Sequence, residues 1–349
     1  MTINMFSTSF VGKQLDHVTT ACNNSQLPKL KITRDTPDPT SILAIDYTDL
    51  HTLAEIPWHP VNVVFLETFQ QAISAMPKFD KSKSYIFVAE SAVERAILRD
   101  ALADLTIVDV FTIFDEVFDF GRQLFNYSAK MPWLDRDHTN TPEFDFFCLL
   151  GRCTDTRKHL VDQLLNFDVS KSLIKYHGKR YGHYGAPDLD TINYNPLTCY
   201  TLSPRYYGQN PGKMFQTDLY KNFKFEVQHE TDPYSCTGWQ LPEYHVTEKT
   251  LKPLVLGFPC LMFGPQKYHS WLKTFGVDLG LGKFNLEFDE VRDNHDRLDR
   301  MIEQIPSILN SSYAHPTQDA IDKNIAGLVK LSAHSMKNLK SLCKLLTSI

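Results

Sequence analysis

At 349 residues the chain is long enough for two domains and too long for one simple core. Its 42% hydrophobic and 22% charged residues exclude the disordered and fibrous classes. A net charge of −5 argues against a protein that coats nucleic acid through its overall charge, although a local basic groove stays compatible with it.

Seven cysteines (Cys22, Cys148, Cys153, Cys199, Cys236, Cys260 and Cys343) are scattered without a CxxC pair, which predicts reduced thiols in a cytoplasmic compartment. Met1 to Lys13 lacks the charged and apolar regions of a secretory signal, and no apolar run is long enough to span a bilayer. The expectation is a soluble cytoplasmic protein, in the host cytoplasm if viral.

Residues 1–40 are polar and turn-rich and predict an irregular lead-in with room for one short strand. Four compact apolar runs follow, at 41–47, 61–67, 85–89 and 106–114. Each has strand length and is rich in Val, Ile and Phe. Between two of them, residues 92–102 carry Val93, Ala96, Ile97 and Ala101 at helical spacing. Strands separated by helices predict a parallel sheet covered by helices. Residues 126–143 break this rhythm and are the linker candidate.

A second unit opens with an apolar strand at 144–150. Gly151 and Arg152 follow, then a polar cap at Asp155–His159 and a helix from Leu160. Strand, glycine turn, cap and helix are the opening of a nucleotide-binding βαβ unit. Residues 176–222 read as one long loop, of the kind that carries function. Strands are then predicted at 224–228 and 259–263, with helices from about Glu248 to Gly257, at 270–275, at 294–305 and at 318–346. The last of these has a break expected at Gly327.

The chemistry concentrates in 223–264. A strand ends at Glu230, and Glu248 and Lys249 stand where the next helix starts. A lysine at a helix N-terminus faces the positive end of the dipole and is unfavourable there without an anion. The exposed amides at the same place bind phosphate. Together they predict a diphosphate site. Glu248 can accept two hydrogen bonds from a ribose diol. Glu230 would lie at the carboxyl edge of the sheet, where such folds bind ligands. Each residue taken singly also fits an ordinary helix-start acid, a solvated lysine or a strand-end acid. Pro253 leaves the cap open: with Thr247 as cap it falls inside the helix, and with Thr250 as cap it falls in the first turn.

Glu230-Thr231, His245 to Lys249, Gly257-x-Pro259 and Gly264 resemble the donor-binding segment of the α1,3-fucosyltransferase family and its relatives. The Thr-Glu-Lys core matches, whereas His229 and Thr231 depart from the family pattern. The same arrangement, with the 146–160 opening and Phe288-Asp289-Glu290 before Asp296-Arg297, is similar to glycosyltransferase-like proteins of large phages and giant viruses. The resemblance covers about 144–305.

It implies an α/β fold of two Rossmann-like domains facing a cleft (GT-B-like), with a C-terminal helix. The boundaries expected are 1–140 for an acceptor domain, 141–316 for a nucleotide-sugar domain, and 317–349 for a helix packing back on the first domain. It implies a glycosyltransferase with a nucleotide-diphosphate sugar such as a UDP-sugar as donor substrate, no permanently bound cofactor and no metal. Glu248 would contact the ribose, Lys249 the diphosphate, and Glu230 would orient the donor, with Thr247 and Thr250 flanking them. Arg157 and Arg152 are further candidates for the phosphates, and Arg157 equally fits a surface arginine paired with a carboxylate.

An acceptor base is expected at a strand end of the first domain. Glu90 is favoured over Asp46 and Glu67. Asp188-Leu189-Asp190 matches a DxD metal motif in letters but stands in the loop-rich stretch. The acceptor is open between a modified DNA base of the hydroxymethylcytosine type, which would make this phage DNA modification, and a glycan or lipid-linked acceptor. For DNA, the lysines of the last helix, Lys175–Arg180 and the cluster Arg205, Tyr206 and Tyr207 are the candidate contacts. A non-catalytic nucleotide-binding module is the competing class. A nicotinamide-dependent epimerase or dehydrogenase would want a GxGxxG loop, which is absent.

Overall fold

The structure, a computed structural model, describes residues 2–7, 29–33, 42–46, 61–66, 84–89, 107–112, 141–152, 154–179, 192–194, 220, 222–230, 246 and 248–348. The chain divides into two compact units. One is Met1–Gln123 with Gly238–His245 and Val329–Ile349; the other is Leu124–Thr237 with Val246–Leu328.

The first unit is built on six strands: β1 (Thr2–Ser7), β2 (Lys29–Thr33), β3 (Ile42–Asp46), β4 (Val61–Leu66), β5 (Ser84–Ala89) and β6 (Ile107–Thr112). Their order is β2-β1-β3-β4-β5-β6, and every pairing is parallel. Parallel strands are covered on both faces, which is why they read as continuous apolar runs. Ile42, Leu43, Ala44, Ile45, Val63, Val64 and Ile86 are all buried.

The irregular lead-in expected for residues 1–40 is corrected, since it supplies two strands of this sheet. Lys29 and Lys31 are exposed on the edge strand β2, where lysines discourage pairing with another chain, and they disguise the strand in the composition. The helix expected at 92–102 and most of the linker at 126–143 fall outside the described residues.

The second unit carries β7 (Phe144–Arg152), β8 (Leu173–Lys179), β9 (Ile192–Tyr194), β10 (Phe223–His229) and β11 (Cys260–Phe263) in the order β11-β10-β7-β8-β9. All pairings are parallel except that of β9 with β8. The strand order reverses between β7 and β10, the point at which doubly wound sheets open a crevice at their carboxyl ends. The chain is therefore mixed α/β, with a parallel sheet in the first unit and a mostly parallel one in the second.

Residues 176–222 are not one long loop: β8 takes their start and β9 their middle, and the basic stretch from Lys175 is strand, with Tyr176 buried.

The helices of this unit are α1 (Asp155–Leu164), α2 (Glu248–Leu256), α3 (Tyr268–Thr274), α4 (Asn294–Glu303) and α5 (Ile305–Asn310), followed by α6 (Gln318–Ser348), which continues into the first unit. The core of this unit forms two hydrophobic clusters. Phe146, Cys148, Leu150, Phe225 and Val227 pack with Leu160, Val161 and Leu164 of α1 and Leu298, Met301 and Ile302 of α4. Phe147, Leu149, Tyr220 and Phe223 pack with Leu256, at the end of α2, and Phe258.

The helix expected at 294–305 is α4, which ends at Glu303; a further helix, α5, follows it, with Pro306 in its first turn, where its missing N–H is harmless. The helix from Gln318 is unbroken at Gly327.

Candidate functional site

The carboxyl end of β10 presents His229 and Glu230 to opposite faces of the sheet, because consecutive strand residues point to opposite sides. On one face stands the first turn of α1. Its N-cap, Thr154, accepts a hydrogen bond from the Arg157 amide at 3.2 Å, and Asp155 in the first turn suits the helix dipole. The Thr156 hydroxyl lies 2.9 Å from His229 Nε2, and His229 Nδ1 lies 2.6 Å from the Glu230 carbonyl oxygen. The short contact to a carbonyl assigns the ring proton to Nδ1, which leaves Nε2 to accept from Thr156.

Arg157, only 2% exposed, brings Nε to 3.4 Å from Nδ1 and donates to the Glu230 carbonyl at 3.3 Å. Burial, and then the Arg157 charge, holds the His229 pKa well below its ordinary value, so the imidazole is neutral.

On the other face, Glu230 meets the first turn of α2. The carboxylate is 1% exposed. Its Oε1 accepts from the Thr250 hydroxyl at 3.0 Å and faces the Tyr268 hydroxyl at 3.4 Å, while the two hydroxyls lie 2.8 Å apart. Burial, and then the Glu230 charge, pushes the Tyr268 pKa well up, so the phenol keeps its proton and donates along a Tyr268–Thr250–Glu230 chain.

The Lys249 ammonium stands 3.9 Å from Glu230 Oε2, with its side chain 17% exposed. That distance makes an ion pair rather than a hydrogen bond, so Glu230 acts on Lys249 through charge. Gly264 makes the Tyr268 placement possible. A Cβ there would stand 2.6 Å from Tyr268 Cδ1 and displace the ring.

The same face of β10 carries Glu226 and Gln228, both buried. Gln228 Nε2 donates to Glu226 at 3.0 Å and the Tyr220 hydroxyl to its other oxygen at 3.4 Å. Burial pushes the Glu226 carboxyl up to about 7, against the opposing pull of Lys252, Gln228, Tyr220 and Lys249. Lys252, one turn after Lys249, is also buried. Acids from β10 and lysines from α2 thus share one interior stripe that ends at the carboxyl edge of the sheet.

Of the residues expected from the sequence, Glu230, Lys249 and Thr250 are brought together here, and Glu248 opens α2 beside them. Because α2 starts at Glu248, Pro253 lies inside the helix. Arg157 is interior, with Nε beside His229 and a bond to the Glu230 carbonyl. Arg152 ends β7 in register with Lys179 of β8. Thr247, Asp188-Leu189-Asp190 and the cluster Arg205, Tyr206 and Tyr207 fall outside the described residues.

Asp46 ends β3, in register with Phe65 of β4. Glu67 and Glu90 fall outside the described residues, but Leu66 and Ala89, which precede them, are register partners on adjacent strands. In the segment from Phe288 to Arg297, Arg297 is fully buried over the Phe263 ring and donates to the carbonyls of Val291 and Gly264, which fixes the chain at the end of β11.

No protein-family model and no curated protein matches the chain. Solved structures similar to it include a UDP co-structure of S. aureus MnaA, at 9% identity over 92% of this chain and 93% of that one, with a TM-score of 0.34. Another is the UDP-GlcNAc 2-epimerase of Neisseria meningitidis bound to UDP-GlcNAc, at 9% identity over 94% and 99%, with a TM-score of 0.30. The UDP-GlcNAc 2-epimerase of Methanocaldococcus jannaschii is similar at 10% identity over 96% and 100%, with a TM-score of 0.31.

Among the described residues no helix is long and apolar enough to cross a membrane, and no three His, Cys, Asp or Glu side chains are grouped as metal ligands.

Proposed function

We propose that the second unit holds a nucleoside-diphosphate sugar at the carboxyl ends of β7 and β10, and that the protein is a glycosyltransferase moving that sugar to an acceptor hydroxyl. The observation that carries the reading is the Glu230–Lys249 pair: a buried carboxylate at the reversal of strand order, 3.9 Å from an ammonium in the first turn of a nine-residue helix. The sheet edge supplies the crevice, and the first turns of α1 and α2 supply backbone amides suited to phosphate.

In this reading Lys249 and the α2 amides take the diphosphate and stabilise the charge that develops on the leaving nucleotide. Glu248 takes the ribose diol, Thr247 flanks it, and Arg152 reaches the phosphates. Glu230, Thr250 and Arg157 hold this geometry from inside, which replaces the direct donor contact first expected of Glu230 and Arg157. The base that removes the acceptor proton comes from the strand ends of the first unit, with Glu90 ahead of Asp46 and Glu67. The acceptor is a hydroxyl of a modified DNA base, a glycan or a lipid-linked sugar.

A thermal-shift panel of UDP-, GDP- and ADP-sugars, UDP-GlcNAc among them, tests the donor. One nucleotide series is expected to raise the melting temperature. Turnover of the stabilising sugar nucleotide then separates the activities. Release of nucleoside diphosphate with the sugar on an acceptor supports transfer, and a sugar that stays on its nucleotide with altered stereochemistry contradicts it. A flat panel leaves a non-catalytic module as the reading.

A further inference from the structure

Four charged side chains share the interior stripe of the second unit: Glu226 and Glu230 of β10, and Lys249 and Lys252 of α2. Lys249 pairs with Glu230, and both lysines act on Glu226 through their charge. With all four groups ionised the stripe is neutral. With a proton on Glu226 it carries one net positive charge.

The hydrogen bonds at Glu226 suit both forms of its carboxyl. The His229 amide donates to Gln228 Oε1 at 3.0 Å, which fixes the side-chain amide so that Nε2 faces Glu226. Nε2 donates to Glu226 Oε1, also at 3.0 Å, so that oxygen accepts in either form. Glu226 Oε2 stands 3.4 Å from the Tyr220 hydroxyl. A hydroxyl donates to a carboxylate, or accepts from a carboxyl, by turning its hydrogen alone. The ring need not move. Phe147 and Phe258 meet it edge to face, with centroids at 5.2 and 4.9 Å. Oε2 is thus a place where a proton can be held or released without rebuilding the core.

Among the described residues, the titratable groups around Glu226 are Lys249 and Lys252 on α2, Tyr220 before β10, Cys148 on β7 and Cys260, its register partner on β11. Burial holds both thiols well above their ordinary pKa, so they stay neutral. Burial likewise pushes the Glu226 carboxyl up to about 7, where a small change in nearby charge moves its proton.

We propose that Glu226 takes up a proton from solvent when the sugar nucleotide binds, and so sets the charge with which Lys249 and Lys252 meet the diphosphate. This rests on the donor site proposed above. The negative charge that a diphosphate brings to Lys249 disfavours a second carboxylate in the same interior stripe. One O–H bond forms on Oε2 and no bond breaks. Glu226 acts through the lysines, as a positioning residue, and does not touch the ligand.

The test is calorimetry with the sugar nucleotide that most raises the melting temperature. Both its phosphates are esterified, so it brings no phosphate proton of its own near neutrality. Titrations in buffers of different ionisation heat read the protons taken up. If binding raises the Glu226 pKa by about one unit from about 7, uptake at pH 7 is about 0.4 proton per ligand, and affinity falls about fivefold between about pH 6 and about pH 8.

E226Q carries a neutral amide at every pH. It is expected to abolish the uptake, to keep a level affinity over that range, and to bind about fivefold more tightly than wild type at about pH 8. A purely structural Glu226 predicts lost affinity instead of this gain. The control E303Q removes an exposed acid of α4 and is expected to keep the wild-type uptake.

Should E226Q not fold, the wild-type protein carries the test, through its proton uptake and through growth of a protonated-carboxyl band in infrared difference spectra on ligand addition. Binding without proton uptake, or a folded E226Q that keeps the wild-type pH dependence, overturns this inference and leaves the donor site standing. Failure to bind any sugar nucleotide overturns both.

Discussion

His229 and Glu230, neighbours at the end of β10, are bonded to the first turns of two different helices on opposite faces of the sheet. His229 Nε2 meets Thr156 of α1 at 2.9 Å, and Glu230 Oε1 meets Thr250 of α2 at 3.0 Å. Two consecutive residues thus fix both helix starts against the strand at which the sheet reverses its order. Each prediction below tests part of that arrangement or of the packing that supports it.

Thr250→Val keeps the shape of the side chain and removes the hydroxyl between Glu230 and Tyr268. Both partners are buried, so the variant is expected to lose about 1–3 kcal/mol in urea unfolding, whereas Thr250→Ser keeps most of the stability. Equal midpoints for wild type and Thr250→Val would show that the hydroxyl chain contributes nothing.

Glu226 predicts a pH dependence. Its carboxyl is pushed from an ordinary 4.5 up to about 7 by burial, beside Lys252, Lys249, Tyr220 and Gln228. An acid whose pKa is higher folded than unfolded binds its proton more tightly in the folded state. Its stabilising contribution is full below about 4.5 and is lost as pH rises through about 7. Glu226→Gln removes this dependence, so relative to wild type it is expected to be more stable at pH 8 than at pH 5. Melting curves at both pH values decide it, and a constant difference between the proteins rules it out.

Gly327 gives two opposing expectations of sign. Alanine is the better helix former by about 1 kcal/mol. Yet a Cβ at 327 would stand 2.7 Å from Val277 Cγ2, 3.0 Å from the Gly276 carbonyl carbon and 3.1 Å from the Phe275 carbonyl oxygen. Backbone gives way less readily than a side chain, so Gly327→Ala is expected to destabilise by a net of about 1–3 kcal/mol. A rise in melting temperature would mean that α6 does not pack that closely.

The α/β class was legible in the sequence because parallel strands are buried on both faces and leave unbroken apolar runs such as those at 42–45 and 146–150. The first two strands were not, because lysines on edge strand β2 alternate with its other residues and look like loop. Glu230, Lys249 and Thr250 were legible through their places at a strand end and a helix start.

Glu226 and Gln228 were overlooked, although the polar residues alternating along Glu226-Val227-Gln228-His229-Glu230 are the period-two mark of one polar strand face. Tyr268 had no local signal. It is 38 residues from Glu230, and only tertiary packing across Gly264 brings its hydroxyl to the carboxylate. The interior position of Arg157 was equally illegible, since the letters alone fit a surface arginine as well as a buried one.

The central claim, that Glu230 holds Lys249 to grip a diphosphate, is tested most directly by calorimetry with the nucleoside diphosphate of the best-stabilising sugar. Lys249→Ala is expected to weaken binding about 10- to 100-fold, the worth of one or two charge-assisted bonds, measured at a temperature where the variant, destabilised by the loss of the ammonium beside the buried Glu230, is still folded. A dissociation constant within about twofold of wild type, or no nucleotide binding by the wild-type protein, would contradict the account.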